Sequence, residues 1–167
     1  PDIEKNRAEA RKIMEKLGYG PNKRLEVKIS TRNVASFRDP AVILIDQLKH
    51  VYVDGVLETI ETANWHSKIT RKDYTIGMNN TGSAVDDPDQ QFFENYACDS
   101  PRNYNAYCNP ELDKKFVEQS MIADQEQRRK LVWEIDRRLQ EDGARPIIFH
   151  ARGATCMQPY VKGVTIM

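Results

Sequence analysis

The stretch Leu25-Glu26-Val27-Lys28-Ile29-Ser30 decides the fold, because its apolar and polar side chains alternate one by one. A period of two is typical of a half-buried β-strand. Before it, residues 2–17 place apolar side chains at helical spacing, and Gly18 ends that pattern. After it, Asp39-Pro40 has the form of an N-cap followed by a proline at the first helical position, which predicts a helix to about Lys49.

Further strands follow along the chain. Residues 56–60 predict a second strand after a turn at Asp54-Gly55, and residues 74–78 predict a third. Short strands are also expected at residues 146–150 and 161–166. Strands that alternate with helices indicate an α/β fold with at least some parallel pairing.

Capping residues predict three helices in the second half of the chain. Asp87-Pro88 and Asn109-Pro110 repeat the cap-then-proline start. A third helix follows Asp124, with Gln127 as its capping-box partner, and ends at Asp142-Gly143.

The composition is that of a globular protein without a global electric field. Twenty-five Lys and Arg balance twenty-five Asp and Glu, so the formal net charge of the 167 residues is zero. Charged residues make up 30% and hydrophobic residues 40%, as in folded domains. No nucleic-acid partner is expected, since proteins that bind nucleic acids present a positively charged surface. No apolar run approaches the ~20 residues that a membrane helix needs.

Few residues suggest catalysis or metal binding. Asp86, Asp87 and Asp89 form the densest acidic group, which could hold a cation, but helix capping is the favoured interpretation. Cys156 follows His150 by six residues, yet no motif supports a Cys–His nucleophile. The histidines lack metal-site spacing, and the glycines form no phosphate-binding motif. No cofactor and no metal are predicted.

Cys98 and Cys108 flank a short segment rich in polar and turn-forming residues. A disulfide that closes this loop is favoured over a metal site, for which two further ligands are missing. A disulfide implies an oxidising compartment. Two reduced thiols in a cytosolic protein are the alternative.

Several segments occur in an order and spacing that a known family shares. One is Tyr107-Cys108-Asn109-Pro110-Glu111-Leu112-Asp113; the others are residues 10–19, 86–93, 103–105, 124–129 and 139–142. Together they resemble the family 5 extracellular solute-binding proteins, the dipeptide, oligopeptide and nickel receptors of ABC importers. Residues 10–19 are similar to the element that opens the C-terminal lobe of that family.

The resemblance implies that residues 1–167 form a single α/β lobe of a type II periplasmic-binding-protein fold, with a mixed sheet flanked by helices. The sequence would be a fragment of a larger two-lobe receptor, as the missing initiator Met also leads us to expect. Such a receptor is not an enzyme. It captures a small solute (peptide-like, sugar, opine-like or chelate) between its lobes and delivers it to ABC permease subunits. A periplasmic or extracellular location follows, with the export signal outside this sequence.

The resemblance also points to ligand-binding residues. Arg32 falls about where peptide-binding members place an arginine that pairs with the ligand carboxylate, although a solvated surface arginine is the alternative. The loop after the third strand falls where those members line the cleft. It contributes Asn79, Asn80, Thr81, Gly82, Ser83 and Ala84.

One departure from the family concerns the ligand. Peptide-binding relatives carry an aspartate for the α-amino group of the peptide where this chain has Ala84, and their usual tryptophan is replaced by Asn79 or Asn80. Neutral side chains do not neutralise an ammonium group. Two other functions are kept as alternatives: a small secreted hydrolase that uses Cys156 or the acidic group, and a protein-interaction module.

Overall fold

The computed structural model of the chain describes residues 2–150 and 156–164. One helix precedes three strands that alternate with two helices, and three more helices follow. The elements are α1 Ile3–Lys16, β1 Leu25–Arg32, α2 Ala35–Leu48, β2 Val53–Ile60, α3 Thr62–Thr70, β3 Ile76–Gly77, α4 Pro88–Asn95, α5 Pro110–Met121 and α6 Gln125–Glu141. None of the helices in these ranges is both long enough and apolar enough to cross a membrane.

The three strands form one sheet in the order β2-β1-β3. β1 pairs with β2 in parallel along its whole length, from Leu25 to Arg32. β3 lies on the other side and pairs in parallel with Ile29 and Ser30. The α/β class is therefore confirmed. The antiparallel part of the expected mixed sheet is not found among the described strands.

Helix α2 begins at Ala35, and the prediction of a start at Pro40 is wrong. Asn33 and Val34 alone separate α2 from β1, as in short connections of α/β proteins. Pro40 therefore lies in the second turn of the helix, where its missing N–H removes one helical hydrogen bond.

Helix α2 packs closely on the sheet at Gly55. A Cβ atom at Gly55 would lie 2.8 Å from Ile45 Cγ1 and 3.0 Å from Ile29 Cδ1. Glycine thus permits the close approach of helix and strand. The turn predicted at Asp54-Gly55 lies instead at Tyr52, whose φ of 64° is in the left-handed region. The residues predicted as a turn are part of β2.

Helices α4, α5 and α6 enclose a hydrophobic cluster. Their predicted caps are confirmed, because Asp87, Asn109 and Asp124 each accept a hydrogen bond from a backbone N–H of the first turn. Phe116 is fully buried and stacks on Phe92 with ring centroids 5.1 Å apart. The buried members of this cluster are Phe92, Leu112, Phe116, Ile135, Leu139 and Ala144.

The predicted C-terminal strands are not formed in the described residues. Residues 146–150 are not a strand, and Ile147 and Ile148 are exposed. Residues 161–164 are not a strand either, and the rest of that prediction lies outside the described residues. A strand needs a neighbour for its N–H and C=O groups, and these segments have none within the described ranges.

Candidate functional site

The predicted ligand-binding residues lie at one edge of the sheet, where the carboxyl ends of the parallel strands meet. Arg32 ends β1, and residues 79–84 follow β3, the neighbour of β1. The Thr31 hydroxyl donates to the Met78 carbonyl at 3.2 Å, and the Met78 N–H donates to the Ser30 carbonyl at 2.9 Å. The start of the loop is therefore fixed to β1. Ligands of open α/β sheets bind beyond this edge.

Arg32 is half-buried and has donors to spare. Its guanidinium carbon lies 4.8 Å from the centroid of the Phe37 ring, a cation–π contact. Its Nη2 donates to the Thr62 hydroxyl at 3.4 Å, and its Nε is buried without a hydrogen-bond partner among the described residues. Buried N–H groups are nearly always paired. Nε itself is enclosed by the protein, so an external acceptor would meet the Nη groups, and a planar guanidinium matches the geometry of a carboxylate.

The loop after β3 offers only neutral groups. No side chain of residues 79–85 is ionisable. Amide and hydroxyl side chains both donate and accept hydrogen bonds. The charged side chains beside the loop at this edge include Arg32 at the end of β1 and Glu61, which directly follows β2 and accepts a hydrogen bond from Asn33. The six predicted residues of the loop, Asn79, Asn80, Thr81, Gly82, Ser83 and Ala84, are all exposed.

The acidic group at residues 86–89 holds helices together. Arg128 on α6 grips Asp87 through two hydrogen bonds, Nη1 to Oδ2 at 2.8 Å and Nη2 to Oδ1 at 2.7 Å. Ser120 at the end of α5 donates to Asp89 at 2.8 Å. Capping and ion pairing thus account for the carboxylates of Asp87 and Asp89, whereas Asp86 is exposed.

Sequence reasoning missed the part that Arg128 plays. Its Nε donates to Oε1 of Gln119 at 3.0 Å, and the buried Gln119 amide in turn donates to Asp89. The network joins the first turns of α4 and α6 to the last turn of α5. Asp87 and Arg128 are 41 residues apart in sequence, so no local pattern announces the pair.

Removing the charge of Asp87 should lower the free energy of unfolding at neutral pH and make that free energy depend less on pH in acid. Hydrogen bonding from Arg128, and next from the backbone N–H of Asp89, lowers the pKa of Asp87. A carboxyl whose pKa is lower when folded stabilises the protein above its unfolded pKa, near 4, and loses that effect as the pH falls through the folded value. Asp87→Asn keeps a good N-cap. We expect Asp87→Asn to lower the free energy of unfolding by about 1–2 kcal/mol at neutral pH. The loss is no larger because the ion pair with Arg128 is partly exposed.

Urea denaturation between about pH 7 and pH 2 measures this effect. Asp86→Asn is the matched control, since Asp86 is exposed. We expect this variant to have the stability of the wild type and the same dependence on pH. Residual acid sensitivity is expected in Asp87→Asn, because the pKa of Glu58 is also lowered, first by a hydrogen bond from Ser30. Equal pH profiles for Asp87→Asn and the wild type would contradict the assignment.

The cysteines occupy two environments. Cys98 and Cys108 are joined by a disulfide between α4 and α5, with Cα atoms 4.5 Å apart. Cys156 is free and exposed. Within residues 2–150 and 156–164, no three His, Cys, Asp or Glu side chains are grouped so that they could hold a metal ion.

The sheet and its helices have the arrangement of one lobe of a periplasmic-binding-protein fold. OppA of Haemophilus influenzae, solved with RPPGFSPFR, matches 85% of this chain with a TM-score of 0.79 and 21% identity. The Escherichia coli murein tripeptide binding protein MppA matches 86% with a TM-score of 0.77 and 17% identity. NikA from Staphylococcus aureus, solved with Ni(L-His)2, matches 83% with a TM-score of 0.72 and 18% identity.

These similarities establish the fold of the lobe. The chain spans 28% of the OppA and MppA chains and 30% of the NikA chain. No protein-family profile and no curated protein matches the sequence. MppA is named as a murein tripeptide binding protein, and OppA and NikA were solved with different ligands.

Proposed function

We propose that residues 1–167 are one lobe of a receptor that captures a small solute for an ABC importer. The match of the lobe to three binding proteins carries this proposal. In the intact receptor a second lobe closes over the carboxyl edge of the sheet, and the solute lies between the lobes. ABC permease subunits then receive the solute at the membrane, from the periplasm or the extracellular space.

The chemistry of the edge favours a solute that carries a carboxylate. Arg32 supplies the positive partner, and residues 79–84 supply neutral hydrogen bonds. No carboxylate in the loop is available for a free ammonium group. Carboxylate-bearing opine-like compounds, modified peptides and metal chelates therefore fit better than ordinary peptides or neutral sugars.

Lobe closure sets how strongly a fragment binds. In a hinged receptor the ligand stabilises the closed state through contacts with both lobes. One lobe supplies only part of those contacts. The isolated lobe is therefore expected to bind the solute more weakly than the intact receptor.

Arg32→Ala tests the proposed site in the full-length receptor. A thermal-shift screen of carboxylate-bearing opines, peptides, nickel–histidine chelates and sugars first provides a solute, since a ligand of the folded state raises stability. Calorimetry then measures its affinity. We expect Arg32→Ala to weaken binding of a carboxylate-bearing solute by about 10- to 100-fold, because a charge-assisted bidentate contact is lost.

Arg38→Ala is the matched control, since Arg38 is an exposed arginine on α2 that contacts Asp39. The Arg38→Ala receptor should bind the solute as tightly as the wild type does. Arg32→Lys keeps the charge but not the planar fork, so it should give an intermediate affinity. If Arg32→Ala binds every solute as tightly as the wild type does, Arg32 is not the carboxylate partner.

A further inference from the structure

The side chain of Gln90 binds the loop that precedes α4. Its Oε1 accepts hydrogen bonds from the backbone N–H of Ala84 at 2.9 Å and from the backbone N–H of Val85 at 3.3 Å, and the hydroxyl oxygen of Ser83 lies 3.1 Å away. One amide oxygen thus accepts from the backbone N–H groups of two consecutive residues. Such a convergence fixes the local backbone more firmly than a single hydrogen bond does.

The orientation of the Gln90 amide is itself fixed. Its Nε2 donates to Oε1 of Glu94 one turn further along α4, at 3.3 Å, which leaves the oxygen facing the loop. Gln91 assists, because its Nε2 donates to the Gly82 carbonyl at 3.1 Å. Its own oxygen accepts from the buried Asn95 at 2.7 Å.

The loop has no other external hydrogen bonds in the described part of the structure. After the Met78 N–H, no backbone–backbone hydrogen bond involves residues 79–86. The remaining contact inside the loop joins the Ser83 hydroxyl to the Val85 carbonyl. Gln90 and Gln91 therefore supply all the hydrogen bonds from outside the loop that reach residues 79–85 within the described ranges.

The helix that carries Gln90 is a firm support. Asp87 precedes it and is held by Arg128, and Asp89 within its first turn is held by Ser120. The position of the loop is thus linked through α4 to α5 and α6. An exposed, neutral loop that forms weak contacts of its own would otherwise sample many conformations.

We propose that Gln90 is the positioning residue of the ligand loop. It holds residues 83–85 in a single conformation before the solute arrives, so that less conformational entropy is lost on binding. This inference rests on the proposed function, in which residues 79–84 contact the solute. Gln90 itself need not touch the solute.

Hydrogen exchange of the Ala84 and Val85 amides, read by NMR, tests the positioning role without any ligand. Gln90→Leu removes the acceptor and should speed exchange of both amides at least about tenfold. Gln90→Glu/Glu94→Gln keeps an acceptor at position 90 and places an amide donor for it at position 94, so this double variant should retain the protection. Gln140→Leu, an exposed glutamine on α6, is the matched control and should leave both amides unchanged.

Solute affinity in the full-length receptor completes the test. A solute whose binding is weakened by Arg32→Ala should also bind Gln90→Leu several-fold more weakly, whereas Gln90→Glu/Glu94→Gln, which keeps the net charge, should bind it as the wild type does. Unchanged amide exchange in Gln90→Leu overturns the positioning role, whatever the affinity. Faster exchange with unchanged affinity would show that the loop does not contribute to solute binding. The role of Arg32 is tested separately by Arg32→Ala.

Discussion

Phe116→Ala should lower the free energy of unfolding by about 3–5 kcal/mol, the usual cost of truncating a buried phenylalanine. Phe116 is fully buried, stacks on Phe92 and meets the edge of Phe93 with ring centroids 6.2 Å apart. Truncation removes these aromatic contacts and leaves a cavity among three helices. Because native domains are stable by only about 5–15 kcal/mol, this loss is a large part of the total.

Urea denaturation followed by circular dichroism measures the change. Val117→Ala is the matched control on the same helix, since its side chain is 47% exposed, and it should cost under about 1 kcal/mol. Phe116→Leu keeps most of the apolar volume and gives a measurable transition even if Phe116→Ala does not fold. Equal losses for Phe116→Ala and Val117→Ala would show that this cluster is not the core of the helical part.

Loss of this core should also reach the candidate site. Gln119 lies one turn after Phe116 on α5 and takes part in the network that holds Asp87. Asp87 caps α4, the helix from which Gln90 holds the loop. The helical cluster thus serves as the foundation of a loop that has few contacts of its own.

Local signals explain which helices the sequence predicts correctly. At Asp87, Asn109 and Asp124 the cap side chain bonds to N–H groups only two or three residues away, so neighbouring residues decide the helix start. Asp39-Pro40 carries the same signal, yet α2 starts earlier at Ala35. There, the short connection from β1 outweighs the local preference, although Pro40 in the second turn removes one helical hydrogen bond and crowds the carbonyl of Ser36.

Long-range contacts explain what the sequence does not predict. Gln90 is the third residue of α4, a position from which a capping box would return to the N–H of Asp87. It reaches past the cap instead, to residues 83–85. Arg32 and the loop could be placed at one edge from the sequence, because parallel strands align their carboxyl ends. The unpaired Nε of Arg32 depends on packing against α2 and α3, which no sequence pattern encodes.

Loss of the Cys98–Cys108 disulfide should lower the free energy of unfolding by about 3 kcal/mol, from the entropy of closing a loop with a sequence separation of 10. We expect the loss to be largest where the segment between the two cysteines contacts both the sheet and the helices. In the segment that the disulfide closes, the Tyr104 carbonyl accepts a hydrogen bond from the hydroxyl of Tyr74, which lies just before β3, at 2.6 Å. The Tyr107 hydroxyl donates to Asp142 at 2.6 Å, just after α6.

The double variant Cys98→Ser/Cys108→Ser measures this contribution by urea denaturation, with Cys156→Ser as the matched control for a free, exposed cysteine. The wild type and Cys156→Ser should lose the same stability when a dithiol reductant is added, whereas the double variant should not respond. Thiol titration of unreduced protein should find one free thiol. Three free thiols, or a wild type that is insensitive to reductant, would show that the two cysteines are reduced in solution, and the inference of an oxidising compartment would then lose its support.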